Sequence, residues 1–367
     1  MRRYVKGAAL GAGALAFSLA GWQLASAARP QSAVSAAATH SQGQPAVHRP
    51  GPSVRDKGGR VQERTCPGHG QQLDGGAAVA CPVSVTTTRL PNAVLGTRYS
   101  VPMLAVSGGI TPYTWSVSDR WLPPGLSLSP AGVISGSPVL AGTFGFTVQA
   151  ADSAGTTATT SLSITVGGCA TTITGSRSRP LTIGAGVTCL DQATISGPVK
   201  VTAGAVVSIQ ASTLNGPLSA DGPAGLAVCG STVSGPASVT GAAGPVLLGG
   251  PAGTPCAAVT VTGLVTLTGG TGGVSLGTAN ISGPARVAGN SGRVIVSGNT
   301  IGGPASITDN TGGTLVLGNS VNGALSCSGN NPAPTDGGKP NTSTGPATGQ
   351  CSRLADTVVR SGVAATR

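Results

Sequence analysis

Eight cysteines and a few scattered carboxylates are the side chains of this chain best suited to chemistry. The cysteines fall into close sequential pairs: Cys66 and Cys81, Cys169 and Cys189, Cys229 and Cys256, Cys327 and Cys351. In an exported chain such spacing reads as a disulfide framework, each bridge tying one coil or short loop. A bridge over about 20 residues contributes about 3 kcal/mol by restricting the unfolded chain. Cys66-Pro-Gly-His69 with Cys81 is the one metal-like arrangement. It lacks the second paired motif of a zinc site.

The carboxylates point to two chemistries. Paired acids could perform glycoside hydrolysis, and clustered acids could hold calcium. Glu63 is the only glutamate. Asp191, Asp221 and Asp309 fall on different repeats of the second half, with Asp336 beyond the last, and in the repeat frame they do not share one face. Asp119 and Asp152 are the calcium candidates, and calcium is the only cofactor the residues suggest. Asp152-Ser-Ala-Gly155 also fits a hairpin turn without any metal, since Asp caps turns and Gly takes positive φ. His40, His48 and His69 all precede the patterned regions, so a Ser-His-Asp triad has no histidine there. Gly269-Gly-Thr-Gly-Gly273 lacks the following Lys and helix of a phosphate loop. No catalytic set is expected, and the chain reads as a non-enzyme.

The formal charge is +11, and removal of Arg2, Arg3 and Lys6 would lower it to +8. Arg29, Arg49, Arg55, Lys57, Arg60 and Arg64 crowd into one low-complexity stretch. Nucleic-acid binding would want a basic patch interleaved with aromatics. Aromatics are 2% of the chain, and none follows Phe146. Arg286 and Arg293 on one repeat could touch an anionic glycan. The expected partners are therefore an envelope glycan or a surface protein, with no nucleic acid; the oligomeric state is open.

The elements that must position these groups are all β. Residues 1–27 read as a signal peptide: a basic start, an apolar run from Gly7 to Leu24, and an Ala25-Ser26-Ala27 cleavage site. After cleavage no segment is apolar enough to span a bilayer, and the expected location is extracellular or at the cell envelope. Residues 28–82 read as a disordered linker carrying a Cys66–Cys81 loop. Residues 83–167 alternate apolar and polar residues in about seven short strands between Gly, Pro, Asp and Ser turns, a β-sandwich pattern with Trp115 as its plug. Residues 168–351 repeat one phrase: an apolar residue, any residue, Gly, then usually Pro. It begins at Ile195, Leu214, Val233, Val261, Ile281, Ile301 and Val321. That period, with three strands per unit, predicts a parallel β-helix of about eight coils, right-handed, with one loop inserted at 249–256. Asn290, Asn310 and Asn330 recur every 20 residues and should stack at a corner. Residues 352–367 read as a flexible tail.

Gly108-Gly109-Ile-Thr-Pro112-Tyr113-Thr-Trp115 is followed by Leu122-Pro-Pro124-Gly125-Leu126, Gly132-Val-Ile134-Ser-Gly136 and Ala151-Asp152-Ser-Ala-Gly155. This succession, over about 84–166, resembles the Putative Ig domain family of bacterial surface proteins, which is grouped with cadherin-like sandwiches. The resemblance implies a spacer or adhesion module without catalysis, and some cadherin-like relatives bind calcium at domain junctions. The paired-acid motifs of that site are absent here. The later phrases Thr-Cys189-Leu-Asp191 and Leu325-Ser-Cys327-Ser-Gly-Asn330 resemble β-helix-like repeats of secreted actinobacterial proteins. An adhesion or presentation module is the expected function. A calcium-binding module and a β-helix polysaccharide enzyme or carbohydrate-binding module are the alternatives.

Overall fold

The structure, a computed structural model, describes residues 54–55, 61–62, 82–251 and 254–357. The leader, Cys66 and Cys81, the three histidines and residues 358–367 lie outside them. Every element among the described residues is a strand. Contacts divide the chain into residues 1–64 and residues 65–367. In the first unit Val54–Arg55 pairs antiparallel with Val61–Gln62, a small hairpin inside the stretch whose composition reads as linker.

In the second unit residues 84–167 form the sandwich. One sheet runs in the order Ala93–Val94, Thr157–Gly167, Gly142–Ala151, Thr114–Arg120. The facing sheet runs Tyr99–Val101, Ile134–Gly136, Leu126–Leu128. Ser84–Val85 pairs separately with Val106–Ser107. Alternation does the sorting: Phe144, Phe146, Val148 and Ala150 point inward from one strand, and Leu162, Ile164 and Val166 from its partner. Trp115 is buried between the sheets. Gly132 makes room for it, since a Cβ there would sit 2.8 Å from the indole. The Tyr99 hydroxyl donates to the Pro91 carbonyl at 2.9 Å, and burial raises its pKa above the ordinary phenol value.

From Thr171 the chain winds into a parallel β-solenoid with three strand ladders per coil. In one coil these are Thr213–Leu214, Leu218–Asp221 and Gly225–Cys229. We call their outer surfaces the short, middle and long faces. The middle ladder has nine strands, from Leu181–Ile183 to Ala347–Gly349. That is one coil more than the repeated phrase alone suggests, and about 38 Å from first strand to last. The stack also passes the expected end at Cys351: Ala355–Thr357 pairs with Asn341–Ser343, held by the Asn341 amide donating to the Leu354 carbonyl at 2.7 Å.

The phrase itself has a steric cause. Its apolar anchors, Ile195 through Val321, are almost fully buried along the rod axis. The glycine two residues on lies against the preceding coil. A Cβ at Gly216, Gly263 or Gly323 would come within 2.6–2.8 Å of backbone in the coil before. The proline that follows offers its carbonyl to the previous coil, as Pro217 does to Val199 N–H at 2.9 Å. Its missing N–H costs the ladder nothing at this strand start.

Polar ladders fix two corners. Asn290 Nδ2 donates to Asn310 Oδ1 at 2.9 Å, Asn310 to Asn330 at 2.8 Å, and Asn330 to Gln350 at 3.0 Å. Asn299, Asn319 and Asn341 form a second ladder at 2.8 and 2.7 Å. Earlier on that same corner Ser212 and Ser231 take over, each hydroxyl accepting the backbone N–H of the coil before at 3.0 Å.

The sandwich and the solenoid share a buried cluster. Val139 and Leu140 belong to it together with Val206, Ala227 and Leu247, which point outward from the long face of the first coils. Gln210 Nε2 donates to the Ala141 carbonyl at 3.3 Å. Close approach requires Gly225, where a Cβ would meet Val139 at 2.7 Å. The Cys169–Cys189 bridge ties the strand leaving the sandwich to the first coils. Cys229–Cys256 pins the inserted loop, and Cys327–Cys351 closes the far end. All three are the sequential pairs; the fourth lies outside the described residues.

Candidate functional site

The sequence-chosen acids are not brought together. Asp119 pairs with Thr147 and Thr114 pairs with Ala151, so Asp152 lies five residues along the strand from the level of Asp119. That separates them by about 17 Å. Asp119 is exposed, and its one ion-pair contact among the described residues is Arg120 at 3.9 Å. Asp152 is buried, and its oxygens are already engaged. Oδ2 accepts Ile110 N–H at 3.0 Å, and Oδ1 accepts Ala154 and Thr156 N–H at 3.0 and 2.7 Å. Burial on its own would raise the pKa of this carboxyl. The backbone N–H groups of Ile110, Thr156, Ala154 and Gly155 outweigh it and hold the pKa below the ordinary value. Among the described residues no three His, Cys, Asp or Glu side chains cluster in a metal-binding arrangement.

The solenoid acids are also apart. Asp191 lies on the long face and Asp221 at the edge of the middle face. Asp309 follows Thr308, which is four rungs from Asp221 in the middle ladder, or about 19 Å. Carboxylates that cooperate in glycoside hydrolysis stand about 5–9.5 Å apart.

Sequence reasoning missed Trp121. Opposite Thr147 and Val148 the register shifts, so Ser118 bulges from its strand. Arg120 follows with φ +62°, a left-handed backbone uncommon outside glycine. Bulges of this kind re-aim side chains at functional edges. Arg120 still pairs with Phe146 as the last residue of the strand, and the turn at Arg120 leads Trp121 off the sheet. Arg120 and Trp121 line a shallow cleft with Thr143, Gly145 and, from the inserted loop, Thr254 and Pro255. Trp121 is 47% exposed, the one aromatic among the exposed large hydrophobics of the described residues. Gly145 leaves space under the Arg120 guanidinium, whose nearest nitrogen is 4.0 Å from where a Cβ would be. The only signal in the sequence is the Asp-Arg-Trp-Leu-Pro-Pro break after an otherwise regular strand.

The exposed surfaces of the rod differ in character. The middle face carries Lys200 and Arg286 in one outward column and Asp221 beside it. A shallow groove there is lined by Leu264, Pro284, Pro304 and Ala324, with Arg286 at its rim. The long face is covered by the sandwich over the first coils. The short face carries small polar residues throughout.

Residues 82–167 match the family model of the Putative Ig domain. No curated protein sequence matches the chain. Among solved structures, a putative alpha-galactosidase from Bacteroides fragilis is 17% identical, covering 30% of this chain and 28% of its own, at a TM-score of 0.21. A putative alpha-galactosidase/melibiase from the same organism is 19% identical over 30% of this chain and 26% of its own, at a TM-score of 0.18. The chain thus spans under a third of the length of either.

Proposed function

We propose that this is an exported, non-catalytic module of the cell envelope or extracellular space, which holds and presents a contact to envelope glycan. The observation that carries this reading is the Arg120–Trp121 cleft. An exposed indole offers a flat apolar face for a sugar ring, and a guanidinium beside it offers donors to ring hydroxyls or acidic substituents. The bulge and the positive φ at Arg120 are the kind of local strain that persists where a site needs it. Three disulfides and the Ig-like sandwich of a surface family support an oxidising, external location.

The test is a glycan array together with a pull-down on insoluble envelope fractions, using the full chain. The expected result is retention on envelope glycan, reduced at least tenfold by Trp121→Ala and by Arg120→Ala, with the thermal melt unchanged. Retention that survives both substitutions would remove the cleft from the account.

A further inference from the structure

The short face of the solenoid is a two-column array. In each coil the residue before the buried anchor and the residue after it point outward. Eight such rungs run from Thr194 and Ser196 around Ile195 to Thr342 and Thr344 around Ser343, and the ladder continues to Ser176–Arg177 before them and Asp356–Thr357 after them. Over these eight coils every outward position is Thr, Ser or Asn, except Gly302. None of the positions on these eight rungs is charged; Asp356 follows Thr342 on the next rung, and the middle face of the same rod carries Lys200, Arg286 and Asp221.

Both columns are held by the backbone ladder. The first belongs to the paired two-residue strands. The second is fixed by its own N–H groups, as Ser234 N–H to the Leu214 carbonyl at 2.8 Å and Thr262 N–H to the Val233 carbonyl at 3.0 Å. The Ser and Asn corner ladder lies directly before the first column, which stiffens the plane further. Within the array, the side-chain bonds among the described residues are Thr342 to the Asn319 carbonyl at 3.5 Å and Thr344 with Asn322 at 3.2 Å. The other groups face solvent.

The spacing selects a ligand. Successive rungs are about 4.8 Å apart, and residues two apart on a strand are about 6.7 Å apart. Tetrahedral water with O–H···O distances of about 2.75 Å puts second-neighbour oxygens about 4.5 Å apart, and gives the hexagonal lattice an axial repeat of about 7.3 Å. The mismatch is about 0.3 Å per rung along the rod and about 0.6 Å between the two columns, so three or four rungs stay in register before a row slips. Each threonine adds a methyl that can sit in a hollow of such a lattice while its hydroxyl replaces a lattice water. A crystalline polysaccharide is a poorer match, since aromatic platforms are the usual means of gripping sugar faces and this face has none.

We infer that the short face binds an ordered water lattice, an ice surface, through the Thr/Ser/Asn array centred on Thr260, Thr262 and Thr300. The site is separate from the Arg120–Trp121 cleft and stands whether or not the cleft binds glycan.

The experiment partitions the full chain between a slowly growing polycrystalline ice mass and the remaining liquid, and records the shape of single ice crystals. The wild-type chain is compared with Thr260→Lys/Thr300→Lys on the short face and with Ser306→Lys on the middle face, each with a far-ultraviolet melt to show that the coils are intact. Crystalline chitin and cellulose form a parallel arm. Enrichment in ice and faceted crystals are expected for the wild type and for Ser306→Lys, with at least a tenfold fall for the short-face pair. No enrichment of the wild type would overturn the inference. Equal enrichment of both variants would also do so, as would binding to the crystalline polysaccharides without binding to ice. If the lysine pair fails to fold, Thr260→Val/Thr262→Leu replaces it, with the same loss expected and an unchanged enrichment counting against the array.

Discussion

At the residue scale the corner asparagines do more than fill turns. Asn310 Oδ1 accepts both the backbone and side-chain N–H of Asn290, at 3.1 and 2.9 Å, while its own Nδ2 donates to the Val287 carbonyl and to Asn330. Asn310→Ala orphans buried groups on two coils, so an expected loss of about 2–4 kcal/mol should appear as an earlier urea midpoint. Removal of Gln350, at the open end of the ladder, should cost less. Asp152 gives a pH prediction. Its folded pKa is depressed by backbone N–H groups, so its contribution to stability is present above the ordinary carboxylate pKa. That contribution is lost as pH falls through the folded value. Asp152→Asn should flatten the acid limb of the sandwich's stability profile; an unchanged limb would mean that its hydrogen bonds carry no such linkage. The first ladder was legible because 290, 310 and 330 are evenly spaced. The second was not, because its last step is 22 residues and its early rungs are serines. For Trp121 the sequence offers only the Asp-Arg-Trp-Leu-Pro-Pro break, since its exposure depends on the bulge at Ser118, which no alternation pattern reveals.

At the scale of elements, strand existence and the three-segment coil were readable, because alternation marks the strands and a Gly step, usually Gly-Pro, marks one turn of each coil. The three described bridges follow the local pairing that the spacing favoured. The docking of the sandwich onto the long face was not readable. Gly225 and Ala227 look like ordinary small repeat residues, and Val206 like one more apolar alternation; only the structure shows that Val139 and Leu140 cover them. Gly225→Val tests this contact. Its side chain would drive into Val139, costing about 1–3 kcal/mol of packing. Calorimetry should then resolve a sandwich transition separate from that of the coils. The inner solenoid core, built from residues such as Val207, Leu226 and Val228, forms its own cluster and should keep its transition temperature.

At the scale of the molecule, an Ig-like sandwich rests on one face of a disulfide-stapled rod, leaving a cleft at the junction and two long open faces. The composition explains the build. With aromatics at 2%, the rod buries many small aliphatic side chains along a narrow axis instead of a few large ones around a centre. Asp221 and Asp309 stand about 19 Å apart along the middle ladder, Asp191 lies on another face, and the three histidines lie outside the described residues. The most direct measurement is a turnover and binding screen of the full chain on a panel of envelope and plant polysaccharides, with and without calcium. The account predicts retention of polymer, lost in Trp121→Ala, with no release of reducing sugar or unsaturated product. Product release that disappears in Asp191→Ala, Asp221→Ala or Asp309→Ala would contradict it.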